Sequence, residues 1–214
     1  ALARFVQSPV KAAITFNNLA FNLEIVSGKN LWEEMNIPCI NIVVDHPCLY
    51  KSALDAAPAN AVVLSVDRKQ MDYLQRFFPR ILTTGFLPHG GKRPAEKIIP
   101  IKYREIDVMY AGGLSKKYAP DVIPDFSQFP FDAEAVADQA YERLIADTNL
   151  TIEEVIEQIL TEQGIVVTNE QLSDIITKFH YAEMLAVSYY REKLIHTMLN
   201  YGLRVHLYGR GWDV

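Results

Sequence analysis

In the first hundred residues, four short runs rich in branched apolar side chains alternate with polar, helix-compatible stretches. That alternation restricts the chain to β-α-β units around a parallel sheet, because parallel neighbours need a crossover between them rather than a tight turn. The runs are Ala12–Phe16, Cys39–Val44, Ala61–Val66 and Arg80–Thr84. Only Asn41 interrupts Ile40–Val44, which predicts a strand covered by helices on both faces. Helices are predicted over Asn30–Met35 and Arg68–Phe78, the latter with Met71, Leu74 and Phe78 spaced for one buried face.

A chain of 214 residues holds one large domain or two small ones at about 150 residues per domain. Half of it is hydrophobic, 22% is charged, and it has only 10 Gly and 11 Pro, which excludes disordered and collagen-like classes and predicts a soluble globular protein. Acidic residues (26) outnumber Lys and Arg (21), for a formal charge of −5. No basic run is long enough to track a phosphate backbone, so nucleic acid is not an expected partner. No stretch reaches the roughly 20 consecutive apolar residues of a membrane helix, and Ala1–Val6 lacks a basic segment followed by an apolar one. A cytoplasmic setting without a transmembrane segment is therefore expected. Cys39 and Cys48 match neither a C-x-x-C redox pair nor a zinc knuckle and read as reduced, buried side chains. The missing initiator Met and the abrupt end at Arg210–Val214 point to a piece of a longer chain.

The texture changes at Pro88-His-Gly-Gly-Lys-Arg-Pro94, a turn-forming stretch that predicts a linker between an N-terminal domain (residues 1–100) and the start of a second one (101–214). Ile106–Ala111 reads as a strand running into Gly112-Gly113, and Leu203–Tyr208 as one running into Gly209-Arg210-Gly211. Between them lies a helical block. Thr151 with Glu154 and Thr168 with Gln171 are capping boxes, each with an apolar residue before and after to staple it. The pattern predicts helices from Asp132 to about Asp147, from Ile152 up to Gly164, another that Leu172, Ile175, Ile176 and Phe179 begin, and one over Tyr189–Tyr201. The block is a candidate homodimer surface.

Asp45-His46-Pro47 directly follows the second strand, and ligands of open α/β sheets bind beyond the carboxyl ends of the strands. Asp45 and His46 are candidate general bases, with Pro47 biasing His46 towards an extended backbone. A capping Asp and a packed His explain the same residues. His89 and Gly90, in the turn after the fourth strand, suit close approach to an anion, as does Gly112-Gly113-Leu114-Ser115-Lys116-Lys117, where a hydroxyl and two cations follow a glycine turn. Ordinary turns with solvated lysines fit equally well. A phosphate-loop motif is excluded, since Gly91 stands where its lysine belongs. Arg210 suits a phosphate, and Trp212 suits ring stacking or a core position. No histidine pair has a metal-ligand spacing, and Asn149-Leu-Thr151 matches a glycosylation sequon whose Thr the capping box already explains.

In order, Asp45-His-Pro47, Val66-Asp67-Arg68, Pro88-His-Gly-Gly91, Asp107-Val-Met-Tyr-Ala-Gly112 and Leu207-Tyr-Gly-Arg-Gly-Trp212 resemble bacterial glycosyltransferases of the family-1-like group that includes the spore-maturation (spore coat) enzymes. The resemblance spans most of residues 12–112 and 189–214, and residues from about 119 to 188 look like a helical insertion. It implies a GT-B fold: a Rossmann-like N-terminal domain for the acceptor, and a second Rossmann-like domain for a nucleotide-sugar donor, of which this chain holds the start. It implies a glycan, cell-surface polymer or protein as acceptor, and no metal or other cofactor. Carried over, Asp45 and His46 are base candidates, while His89, Gly90, Gly112, Gly113, Ser115, Arg210 and Trp212 border the donor. The acidic ribose ligand that should follow Trp212 is missing from these residues, so the 214 residues alone are expected to bind UDP- or GDP-sugars weakly or not at all and to be inactive. The competing expectation is a non-catalytic α/β binding or protein-interaction module that docks through the helical block.

Overall fold

The computed structural model describes residues 9–26, 28–91, 99–114 and 124–212. The chain divides into two compact units, residues 1–91 and 92–214, a division inside the predicted linker and before the boundary expected after residue 100.

The first unit runs β1 (Ala13–Phe16), a small hairpin of β2 (Glu24–Val26) and β3 (Lys29–Asn30), α1 (Leu31–Glu34), β4 (Cys39–Val43), α2 (Lys51–Asp55), β5 (Ala61–Ser65), α3 (Arg68–Phe77) and β6 (Thr83–Phe86). Strands β1, β4, β5 and β6 form one parallel sheet in that spatial order. Every step across the sheet goes the same way, and parallel crossovers are right-handed, so all three connections fall on one face. Cys39, Asn41 and Val43 of β4 and Ala61, Val63 and Ser65 of β5 share a face and are buried. The intervening Ile40, Ile42, Val62 and Leu64 are half-buried, and Ile14 and Phe16 on β1 are 63% and 58% exposed. This corrects the expectation that β4 is covered on both sides: a sheet wound in one direction closes one face only.

Asn41, the polar break in that strand, is fully buried. Its Oδ1 accepts the Thr15 hydroxyl and the Asn18 backbone N–H, both at 3.1 Å, and its Nδ2 donates to Asn18 Oδ1 at 2.5 Å. Three bonds offset the desolvation of a buried amide, which otherwise costs about 1–3 kcal/mol. They also tie the end of β1 to the middle of β4.

Helix α3 forms where predicted. Asp67 caps it by accepting from the backbone N–H of Lys69 at 2.7 Å and of Gln70 at 3.2 Å, and Tyr73, Leu74 and Phe78 are buried. The fourth strand begins later than its predicted Arg80. Pro79 follows the helix, the Ile81 N–H donates to the Phe78 carbonyl at 3.0 Å, and the turn so closed delays pairing until Thr83. Ile81 is instead a buried residue under the turn.

The second unit contains β7 (Val108–Ala111), α4 (Ala133–Ala146), α5 (Ile152–Glu162), α6 (Asn169–Asn200) and β8 (Val205–Tyr208). β7 and β8 pair in parallel, from Val108 opposite Val205 to Ala111 opposite Tyr208. Both predicted capping boxes form: Thr151 Oγ1 accepts from Glu154 N–H at 3.4 Å and Thr168 Oγ1 from Gln171 N–H at 3.2 Å, each with the reciprocal bond. Helix α5 is too short to be stable alone. Ile152, Val155, Ile156, Ile159 and Leu160 are all buried, and at about 1.5–3 kcal/mol for each such side chain, packing rather than propensity holds it. Phe179 centres this core, with the rings of Phe126 and Phe129 at 5.0 and 5.6 Å. The helix predicted to begin with Leu172–Phe179 and the stretch Tyr189–Tyr201 form one helix of 32 residues, with no Gly or Pro between Asn169 and Asn200 to break it. Residue 188, the expected end of the insertion, therefore lies inside α6. Among the described residues no helix is long and apolar enough to cross a membrane.

Candidate functional site

In the first unit the chemistry gathers where β1 and β4 end. Asn17 follows β1 in the left-handed region (φ 45°), which Asn tolerates better than most side chains. Its Oδ1 accepts the Val44 N–H at 2.9 Å, and its Nδ2 donates to Asp45 Oδ2 at 2.8 Å. The Tyr50 hydroxyl donates to the same Oδ2 at 2.8 Å. Both bonds fall on one oxygen of an exposed carboxylate, and among the described residues Oδ1 accepts none. Partial burial, together with the hydrogen bond to Asp45 and its negative charge, pushes the Tyr50 phenol up to about 12, so it stays protonated and donates at neutral pH.

His46 has an extended backbone (φ −59°, ψ 130°), as the following proline requires. Its Nδ1 accepts the Cys48 N–H at 3.2 Å, capping the 3-10 turn Pro47–Tyr50, and its ring meets the buried Tyr73 edge-on at 4.9 Å. A neutral imidazole whose Nδ1 is an acceptor carries its proton on Nε2. To take a second proton, His46 must give up the cap; Asp45 needs no such change. Cys39 and Cys48 are buried, and burial raises the Cys39 thiol to about 11. His89 and Gly90 lie in an exposed irregular segment after β6, with open space around Gly90.

In the second unit the two predicted glycine turns come together at the carboxyl ends of β7 and β8. Gly112 N–H donates to the Tyr208 carbonyl at 2.8 Å and Leu114 N–H to the Arg210 carbonyl at 2.9 Å, which prolongs the parallel pairing past both strands. Gly209 (φ 148°) and Gly211 (φ 85°) have conformations that L side chains avoid, and a Cβ on either would overlap a backbone carbonyl, of Gly112 and Leu114 respectively. Trp212 Nε1 donates to the Gly112 carbonyl at 2.7 Å, with its ring edge-on to Tyr110 at 5.5 Å. Trp212 thus locks the two turns together. The amides of Gly112 and Leu114 are engaged inside this lock, so close approach to an anion falls to Gly113 and to side chains. Ser115, with Lys116 and Lys117, lies outside the described residues.

Three residues at these sites escaped sequence reading. Asn17 and Tyr50 hold Asp45; only the Asn17-Asn18 pair after a strand hinted at a special turn. Arg191, on α6, donates from Nη1 to the Gly113 carbonyl at 2.7 Å, and nothing local in the sequence marks it. The helical block also holds a cleft of about 480 Å³ between Phe129–Phe131 and Ile165–Val167, with Asp174 and Lys178 in its wall.

The strand order and the carboxyl-end residues define an α/β protein with a parallel sheet compatible with a Rossmann-like domain. No protein-family model, curated protein or solved structure matches the chain.

Proposed function

We propose that the chain is part of a GT-B glycosyltransferase that moves a sugar from a nucleotide donor to a hydroxyl on a glycan, a cell-surface polymer or a protein. The reading rests first on Asp45, an exposed carboxylate at the carboxyl end of a parallel sheet, anchored through Oδ2 by Asn17 and Tyr50. In this reading the acceptor oxygen attacks the anomeric carbon, the bond from that carbon to the diphosphate oxygen breaks, and the acceptor proton passes to Asp45 Oδ1. The electron pair leaves with the nucleoside diphosphate. The Oδ2 bonds orient the carboxylate without occupying the oxygen that takes the proton. His46, committed to its cap, is a positioning residue for the Asp45 turn.

The test is release of nucleoside diphosphate from a panel of UDP- and GDP-sugars by the full-length protein, for the wild type, Asp45→Asn and His46→Ala. A positioned base contributes about 10²–10⁴-fold. Asp45→Asn should therefore lower turnover at least about 10²-fold with donor affinity unchanged, and His46→Ala should have the smaller effect. Absence of donor turnover in the wild type, or near-normal rates in both variants, overturns the reading. A non-catalytic binding module is the second reading, favoured by the cleft at Phe129 and Val166; it predicts ligand-induced shifts there and no response to Asp45→Asn.

A further inference from the structure

The cleft of the helical block adjoins an exposed apolar knob. The loop from α5 to α6 carries Ile165-Val166-Val167, and Val166 is 95% exposed, the highest value among the large apolar side chains of the described residues. One exposed valine alone needs no explanation. This one borders a cleft of about 480 Å³ whose walls are mostly apolar, so a knob and a hole lie on the same patch. The three residues are β-branched and suited to a strand, yet they belong to none. Among the described residues, the backbone groups of Val166 and Val167 have no hydrogen-bond partner.

The α6 wall of the cleft adds a charge pattern. Asp174 and Lys178 line it from one face of the helix, four positions apart, and both are exposed. Lys178 forms no ion pair among the described residues. Its charge adds only a little to the lowering of the Asp125 carboxyl, which bonds from Ser127 chiefly hold down. An acid and a base so placed are complementary to the same face run in the opposite direction, because a two-fold axis sets each Asp174 against the partner's Lys178.

We propose that the cleft is the contact surface of a two-fold symmetric homodimer, in which Val166 of each copy fills the cleft of the other and each Asp174 pairs with the partner's Lys178. An isologous contact uses one patch twice, so knob and hole have to share that patch. The unpaired backbone at Val166 and Val167 is an edge that an antiparallel copy of itself can pair with. A small apolar ligand would fill the hole but leave the knob in water and both charges unused. The sugar-transfer reading does not enter this argument; the proposal rests on the binding-module reading of the cleft and names its occupant.

Sedimentation equilibrium of the 214-residue chain tests it, with circular dichroism to check the fold of each variant. A monomer–dimer equilibrium with a dissociation constant of about 1–100 µM is expected for a contact of this kind. Val166→Asp, on a side chain that its own fold leaves in water, should weaken association about tenfold or more. Lys178→Glu and Asp174→Lys should each weaken it similarly, by setting like charges opposite one another. Mixed one to one, these two variants should associate with each other about as well as the wild type does with itself, because every acid again faces a base. If Lys178→Glu or Asp174→Lys disturbs the fold, Val166→Asp carries the test. A chain still monomeric at about 500 µM, a dimer that Val166→Asp leaves unchanged, or a mixture of folded variants no better associated than either alone overturns the proposal. A monomer strikes out this occupant only; turnover of Asp45→Asn still decides between the two functions.

Discussion

The indole Nε1 of Trp212 donates to the carbonyl of Gly112 at 2.7 Å, closing a contact across 100 residues of sequence. Around that bond two glycine turns interlock so closely that Gly209 and Gly211 have no room for a Cβ. Alanine at either position must shift a backbone carbonyl and hold an unfavourable φ, at a cost of about 2 kcal/mol or more. Trp212→Phe removes one hydrogen bond and should cost about 1 kcal/mol. Urea denaturation followed by circular dichroism checks the order; an alanine at Gly211 as stable as the wild type would show that the lock does not hold in solution.

Asn41→Leu should destabilise the first unit by about 2 kcal/mol, because the Thr15 hydroxyl and the Asn18 N–H lose their acceptor. Adding Thr15→Val removes one of those orphaned groups and should restore part of the loss. If the double variant is no more stable than Asn41→Leu alone, the Thr15 bond contributes nothing measurable.

The Tyr50 phenol, raised from 10.0 to about 12, keeps its proton in the folded chain at pH values where the unfolded chain loses it. Its contribution to stability is therefore complete below about pH 10 and declines as pH rises towards 12. Tyr50→Phe should flatten this alkaline decline, and a difference ultraviolet titration between wild type and variant should show one tyrosine ionising late. A Tyr50 that titrates near 10 would mean that neither its partial burial nor its bond to Asp45 is kept.

Neither cysteine should react with Ellman's reagent in the native protein on a timescale of minutes, since both side chains are buried and the Cys39 thiol is pushed up to about 11. Unfolding in denaturant should release two equivalents. Rapid native labelling of either would contradict its burial.

Features encoded in short windows of residues were local ones. The capping boxes at Thr151 and Thr168, the Asp67 cap, the apolar runs of β1, β4 and β5 and the glycines after β7 and β8 were all legible, because each is encoded within a few neighbouring residues. The unbroken α6 was legible in principle, as the absence of any Gly or Pro from Asn169 to Asn200. Tertiary structure decided everything that depends on chain crossings. It left one face of the sheet half-open, since three crossovers wind the same way. It set Asn17 and Tyr50 on a single oxygen of Asp45, and turned Trp212 inward as a lock. It carried Arg191 to Gly113 across 78 positions. Local preferences choose elements and their ends; which side chains meet depends on how the elements pack, and no short window of sequence records that.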